Sequence, residues 1–363
     1  MNNNSISQFV SFVRKEFRHI FRDTRTMLIL LAMPIIQILL FGFAITTELK
    51  NANVGILAPK HDVIVNKIIQ RFDASDYFNV SKIMHGNNEI IPAFQNGEVS
   101  LVIAFNEDNS QIQLITDGSE PNQANMIVNY SKGILLTQIQ EMSLMEGVGH
   151  IATTTRMLYN PQQKSAYNFV PGVMGLILML ICAMMTSISI VREKEQGTME
   201  VLLASPLPPL TIIIAKLVPY FALSMVNITS ILLLSFFVLG VPIVGSLILL
   251  ISVCLLFVLL ALSLGLLVST ITQSQMAAML ISGMVMMMPV VVLSGMIFPI
   301  ESMPKILQWV SGIVPARWFI AAVKKVMLQG CGIFEIVKEL SVMGGMLSLI
   351  LIISIKNFKV RLE

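Results

Sequence analysis

Hydrophobic and polar positions divide this chain sharply. Residues 26–47, 165–191, 217–300 and 340–355 contain no Asp, Glu, Lys, Arg or His, and nearly all the ionisable residues are confined to the segments between them. A hydrocarbon core of about 30 Å takes roughly 20 helical residues to cross, so the third uncharged stretch is long enough for several crossings. It divides at Gly240-Val241-Pro242 and at the polar run 269–275. Six spans are predicted, at residues 27–46, 169–191, 217–239, 244–268, 276–297 and 333–355. The last is short in uncharged residues, so Glu335, Lys338 and Glu339 are expected at the membrane interface, where long side chains can snorkel.

Residues 1–26 follow a helical period. At about 100° per residue, Phe9, Phe12, Val13, Phe17, Ile20 and Phe21 fall on one face, and Arg14, Lys15, Arg18, Arg22 and Arg25 on the other. This pattern predicts a helix lying in the membrane interface; the alternative is a basic flank that only orients the first span. Between the first two spans, residues 47–168 change character. Short β-type runs at 54–57, 101–105 and 112–115 alternate with helical patterns at 63–72 and 122–144, with a turn at Asp117-Gly118. The expected fold is therefore an α-helical integral membrane protein of six transmembrane helices with an inserted small α/β domain. A cleaved signal peptide is not expected, because the first apolar run lies behind a segment with its own amphipathic pattern.

Composition agrees with a bilayer protein. The chain of 363 residues is 55% hydrophobic and only 12% charged, with a mean hydropathy of +0.78 and a net charge of +3, against about a quarter charged in soluble domains. Basic residues at both ends, including Lys356, Lys359 and Arg361, favour a cytoplasmic location for both termini. An even number of spans agrees, which puts residues 47–168 outside; the eight Lys and Arg of 48–164 do not oppose this, since long domains translocate largely regardless of charge. The segment 301–339 is irregular, with five Lys or Arg on the expected outer side.

Candidate chemistry is sparse. No Gly-Lys dipeptide occurs, so the phosphate-cradling loop GxxxxGK[ST] is absent. Cys182, Cys254 and Cys331 show no metal-ligand spacing and predict neither a disulfide framework nor a metal site. His19, His61, His85 and His150 lie outside the predicted spans and far apart, as solvated residues do. Coupling to an ion gradient usually needs ionisable groups at membrane depth, which the predicted spans lack; carbonyls freed at Pro34, Pro171, Pro219 or Pro289 are the remaining route. The 25 methionines, Met284, Met286, Met287 and Met288 among them, suit apolar filling more readily than a polyspecific substrate surface.

Energy from outside the membrane must then enter through a cytoplasmic surface, and residues 192–216 form the sizeable internal loop on that side. It opens with the charged Arg192-Glu193-Lys194-Glu195, continues through Gly197, Thr198, Met199 and Glu200, and holds Val201, Leu202 and Leu203 before Pro206. A solvated turn does not need that apolar group, so a short docking helix is the sharper reading.

The run REKEQGTMEVLLASPL at 192–207 resembles the characteristic loop of type-2 ABC transporter permeases. KEFRHIFRDTRT at 15–26, TDGSEPNQAN at 116–125, YNPQQKSAYNFVPG at 159–172 and LSGMIFPIESMP at 293–304 resemble the same family, as does the layout of one span, an extracytoplasmic domain and five spans. The resemblance implies a permease of the bacterial inner membrane that works as a homodimer or heterodimer with separate ATPase subunits. ATP and Mg would sit on those subunits, and this chain would bind no cofactor, metal or nucleic acid. Residues 195–203 would be the coupling helix in an ATPase groove, with the N-terminal helix (Phe12, Lys15, Phe17, Arg18, Phe21, Arg22) beside it. The stretch from Pro299 through Pro304 and Trp309 to Pro315 would be a pair of short helices dipping back into the outer leaflet, within an outer segment 299–332.

The function so implied is export of a drug, lipid or similar amphipathic compound, with room for a periplasmic adaptor. The rivals are an ATPase-coupled mechanotransmitter or scaffold acting on a periplasmic partner, and a membrane enzyme, which would need a convergence of carboxylates, His or Cys that the spans do not supply.

Overall fold

A computed structural model describes residues 3–44, 52–58, 63–106, 112–117, 121–145, 164–199 and 208–357. The chain divides into two compact units, residues 1–46 with 162–363 and residues 47–161.

Two helices open the first unit: α1, Asn3–Arg22, and α2, Thr24–Ala44. The axes of Ser7–Arg22 and Met27–Phe41 meet at 68°, so α1 turns away from the line of α2 instead of extending it. Asp23 stands between them, and the backbone N–H of Met27 donates to its carbonyl oxygen at 3.0 Å.

The second unit is an α/β layer. Its strands are β1, Ala52–Leu57; β2, Phe78–Met84; β3, Leu101–Phe105; and β4, Ile112–Thr116. Helix α3, Val63–Asp73, connects β1 to β2; α4, Ile90–Gln95, precedes β3; and α5, Pro121–Met145, follows β4. The sheet order is β2-β1-β3-β4, with β1 parallel to both neighbours and β3 antiparallel to β4. Val54, Ile56, Val65, Ile68, Phe72 and Ile103 are buried between sheet and helices, and the rings of Phe72 and Phe78 lie 5.1 Å apart.

The first unit resumes with α6, Ser165–Glu195; α7, Pro209–Phe237; and α8, Leu247–Ile271. Next come α9, Gln275–Leu280, a single π turn at Ile281–Val285, and α10, Met286–Leu293. Short α11, Lys305–Ser311, leads to α12, Pro315–Gln329, and α13, Val337–Asn357, closes the described chain. Helix α6 is central: α2, α7, α8 and α12 all pack on it. At its crossing with α8, a Cβ on Gly265 would stand 2.4 Å from the carbonyl oxygen of Ala183, so only glycine permits so close an approach. Farther along the same core, the rings of Phe257 and Phe319 stack at 4.1 Å.

Among the described residues, five helices are long and apolar enough to cross a membrane, or up to seven crossings if each of two bent pairs counts as one. The breaks expected around Gly240 and 269–275 are present as the ends of α7 and α8, and Ser246 and Ser274 cap the helices that follow by accepting from Leu249 N and Ala277 N.

Several expectations need correction. The span expected at 217–239 begins eight residues earlier, at Pro209, where proline suits the first helical turn. The one expected at 276–297 ends at Leu293 and contains the π turn. Glu339, expected to snorkel with a free side chain, is instead buried against the protein, and its carboxylate accepts from the Lys325 ammonium at 2.8 Å. The pair of short helices implied for residues 299–315 lies farther along, as α11 and α12, whose axes meet at 86°. Pro299 and Pro304 precede a 3-10 turn and α11, and Pro315 opens α12.

Candidate coupling site

At its C-terminal end α6 carries the charged motif. Arg192-Glu193-Lys194-Glu195 forms the last helical turn, and Lys216 lies within α7, so residues 192–216 are not one loop: the connection proper is residues 196–208. The helix stops because Gly197 takes a left-handed φ of 71°, a conformation that costs glycine nothing, and its N–H donates to Lys194 O at 3.1 Å. Thr198 Oγ1 then donates back to the Glu193 carboxylate. Met199 packs against Ile190, Ile213 and Leu266. Glu200, Leu202 and Leu203, the remaining expected docking residues, lie outside the described residues.

The charged turn clamps the corner between α8 and α9. Lys194 Nζ donates to Ser269 O, and Arg192 Nε donates to Gln275 Oε1 at 3.2 Å. Glu195 Oε2 accepts from Gln275 N at 3.2 Å and from its side-chain Nε2 at 2.7 Å. Basic groups in the final turn also complement the partial negative charge of a helix C-terminus.

A buried ion network adds α1 to this assembly. The Lys216 ammonium lies 3.4 Å from Glu16 Oε1 and 3.1 Å from Glu193 Oε1, with its side chain only 4% exposed. Removing one member of such a buried pair leaves an uncompensated charge in a poorly solvated place. Beside the network, Ile20 packs with Leu30 and Leu223. The side of α1 turned to the bundle therefore carries Glu16 and Ile20, whereas Phe12 and Phe17 are half-buried and Phe21 is exposed. Phe17 and Phe21 stack at 6.2 Å, Lys15 lies 5.2 Å over the Phe12 ring, and Lys15, Arg18 and Arg22 are exposed.

Phe21 is exposed like the basic residues, and the reading by apolar and basic faces omitted the one acidic residue of α1. The available signal was that Glu16 is the single acid among residues 1–22 and that Lys216 is a lone cation between uncharged residues 201–215 and 217–300.

Between α1, α2, α6, α7 and α9 lies a cavity of about 310 Å³. Its wall includes Glu16, His19, Asp23, Arg192, Glu193 and Lys216, a mixture of both signs. Among the described residues no group of three or more His, Cys, Asp or Glu gathers closely enough to hold a metal ion. Cys182 and Cys254 are buried with free thiols. At the other end of the bundle, Trp309 is 83% exposed, while Trp318 Nε1 donates to Gly312 O at 2.9 Å.

Residues 25–356 match the ABC-2 family transporter proteins. Over 331 residues the chain is 34% identical to the probable multidrug ABC transporter permease YbhS of Escherichia coli K12, covering 87% of each chain. It is 31% identical to the probable multidrug ABC transporter permease YbhR of the same strain, over 88% of this chain and 89% of that one. The inner membrane transport permease YhhJ of that strain is 32% identical across 192 residues, about half of each chain. The family match takes in the bundle from α2 to α13 together with the α/β unit, and on that basis the chain is a multi-pass membrane permease of the ABC-2 transporter family.

Proposed function

We propose that the chain is the transmembrane subunit of an ATP-driven exporter that moves a hydrophobic or amphipathic compound out of the cytoplasm or inner membrane. A separate ATPase subunit, carrying ATP and Mg, supplies the energy, and a second permease subunit completes the pathway. The α6–α7 connection and both termini face the cytoplasm in this reading. The substrate class is suggested by the names of YbhS and YbhR as multidrug permeases.

The observation that carries the reading is the Glu16–Lys216–Glu193 network at the base of α6. It ties α1, α6 and α7 together immediately beside residues 196–208. A partner pressing on that connection would move the charged end of α6 along with the α8–α9 corner held by Gln275. Met199 packs on the bundle itself; farther along the connection, Leu202 and Leu203 would supply apolar anchors for a groove, and Glu200 a carboxylate for its rim. Loss of such anchors commonly costs a complex about 2 kcal/mol or more, roughly thirtyfold in affinity.

The test combines Glu200→Arg with Leu203→Ala. The variant should remain folded in membranes, release the ATPase subunit during co-purification, and fail to export substrate from energised vesicles. Unchanged retention and export would remove residues 192–216 as the coupling element. Retained ATPase binding and turnover without substrate movement in the wild type would favour mechanotransmission to a periplasmic partner.

A further inference from the structure

The π turn at Ile281–Val285 breaks one span into α9 and α10, and the two halves are attached to different parts of the bundle. Helix α9 packs on α6 and is tied at its start to the last turn of α6, through the bonds of Arg192 and Glu195 to Gln275. Helix α10 packs on α11 and α12 as well as on α6. Motion at the end of α6 therefore reaches α9 directly, and the turn is where the span has to absorb it. Single π turns inside α-helices often mark functional sites.

Two features leave the turn easy to bend. Pro289 has no N–H to give Val285 O, so the bond that an α-helix would form there is missing. On the outward side, a Cβ at Gly283 would meet nothing within 4 Å among the described residues, and Met284 and Val285 are exposed.

On the inward side a single hydrogen bond holds it. Ser282 and Ser187 of α6 are both fully buried, and their hydroxyl oxygens lie 2.8 Å apart. Ser187 donates to Met184 O at 2.9 Å, so its one hydrogen is committed and Ser282 is the donor between the two serines. Elsewhere in the bundle the pattern differs. Ser224, Ser230, Ser235, Ser252, Ser263 and Ser269 each donate to a carbonyl three or four residues back in their own helix. The Ser282 hydroxyl crosses between helices instead, and on release it can turn to a carbonyl of its own preceding turn, as those serines do. Ser187 keeps Met184 O in either case. No buried hydroxyl is orphaned when the contact opens, which makes it reversible.

We propose that the π turn is the hinge of this span and that the Ser187–Ser282 hydrogen bond is the latch that fixes its angle. The hinge is a property of this chain by itself and depends neither on an ATPase nor on the identity of a substrate.

The test reads the angle of the span in the full-length protein in lipid nanodiscs. Cys182, Cys254 and Cys331 are replaced by alanine, and spin labels are attached through Met276→Cys and Met288→Cys, exposed positions on either side of the turn. An excess of cysteine-free chain is co-expressed, so that only distances within one chain are read. The labelled parent should give one dominant distance. Ser282→Ala and Ser187→Ala should each raise the ratio of a second distance to the first about fivefold, the equilibrium effect of one neutral hydrogen bond. The double variant should do no more than either alone, because both substitutions remove the same bond. Ser263→Ala deletes an equally buried hydroxyl bonded within its own helix and should leave the distribution unchanged. Pro289→Ala restores the missing N–H and should suppress the second distance that Ser282→Ala brings out.

An unchanged distribution in both serine variants would overturn the proposal, as would additive effects in the double variant or an equal shift in Ser263→Ala. A second distance that Pro289→Ala does not reduce would place the bend away from the turn and overturn its assignment as the hinge.

Discussion

Lys216 is the residue on which the base of the bundle turns. It lies almost wholly buried between two carboxylates contributed by different helices, Glu16 of α1 and Glu193 of α6. Lys216→Met keeps the apolar stem but deletes the ammonium, leaving both acids without their shared partner. The expected cost is about 3–5 kcal/mol, read as a lower thermal unfolding midpoint in detergent. Combining it with Glu16→Gln should recover part of that loss, because the buried charge is removed along with its partner. Additive destabilisation in the double variant would show that the two side chains act independently. Lys216 could be read from the sequence only as a flank of an apolar run. Its partner Glu16 is 200 positions away, and no periodicity within either helix connects them.

At the scale of the element, α1 joins two kinds of surface. Its Glu16–Ile20 side packs on the bundle, while Phe12, Phe17 and Phe21 keep only partial protein contact. Replacing these three phenylalanines by serine should reduce export or assembly while the spans still insert. Full apolar burial of each ring is worth at most about 1.5–3 kcal/mol. Measurement of transport alongside membrane-inserted protein separates the outcomes, and wild-type export would reduce α1 to an orienting flank.

Long apolar helices were legible because an uninterrupted hydrophobic run is a strong one-dimensional signal. Strand β2 was not. Its pairing with β1 shifts between Val54 and Gly55, so Val80 and Lys82 face consecutive residues of β1 and Ser81 is extra. Burial still alternates along β2 from Phe78 to Met84, but residue type does not follow it: Lys82 falls on the more buried side and Ile83 on the exposed one. The π turn at Ile281–Val285 was equally invisible, since it changes backbone pairing without a change in residue type.

At the scale of the whole molecule, the central prediction concerns topology. With the native cysteines replaced, a single cysteine at position 110 should react with an impermeant thiol reagent from outside intact cells, and one at position 205 should react only after the membrane is opened. Labelling of position 205 in intact cells would reverse the orientation and remove the ATPase from reach of the α6–α7 connection. The charge bias that motivates this expectation acts on flanks and short loops. The cations after α10 did not fit that bias, and the fold gives several of them local work. Arg317 braces α11, Lys324 contacts Asn168 of α6, and Lys325 pairs with Glu339 of α13.

By itself the sequence determined where the chain can enter a bilayer, because hydrocarbon penalises every ionisable side chain and such residues are absent over whole runs. It also carried the motif at 192–207 and the lack of a phosphate loop, both of which are local in sequence. Tertiary structure alone decided which partners the charged groups meet. Glu16 with Lys216, Lys194 with Ser269, and Lys324 with Asn168 are separated by 200, 75 and 156 positions. The physical reason is that Coulomb attraction and hydrogen bonding depend on distance through space. That distance follows from how the helices cross, and the crossings depend on close contacts such as Gly265 against Ala183.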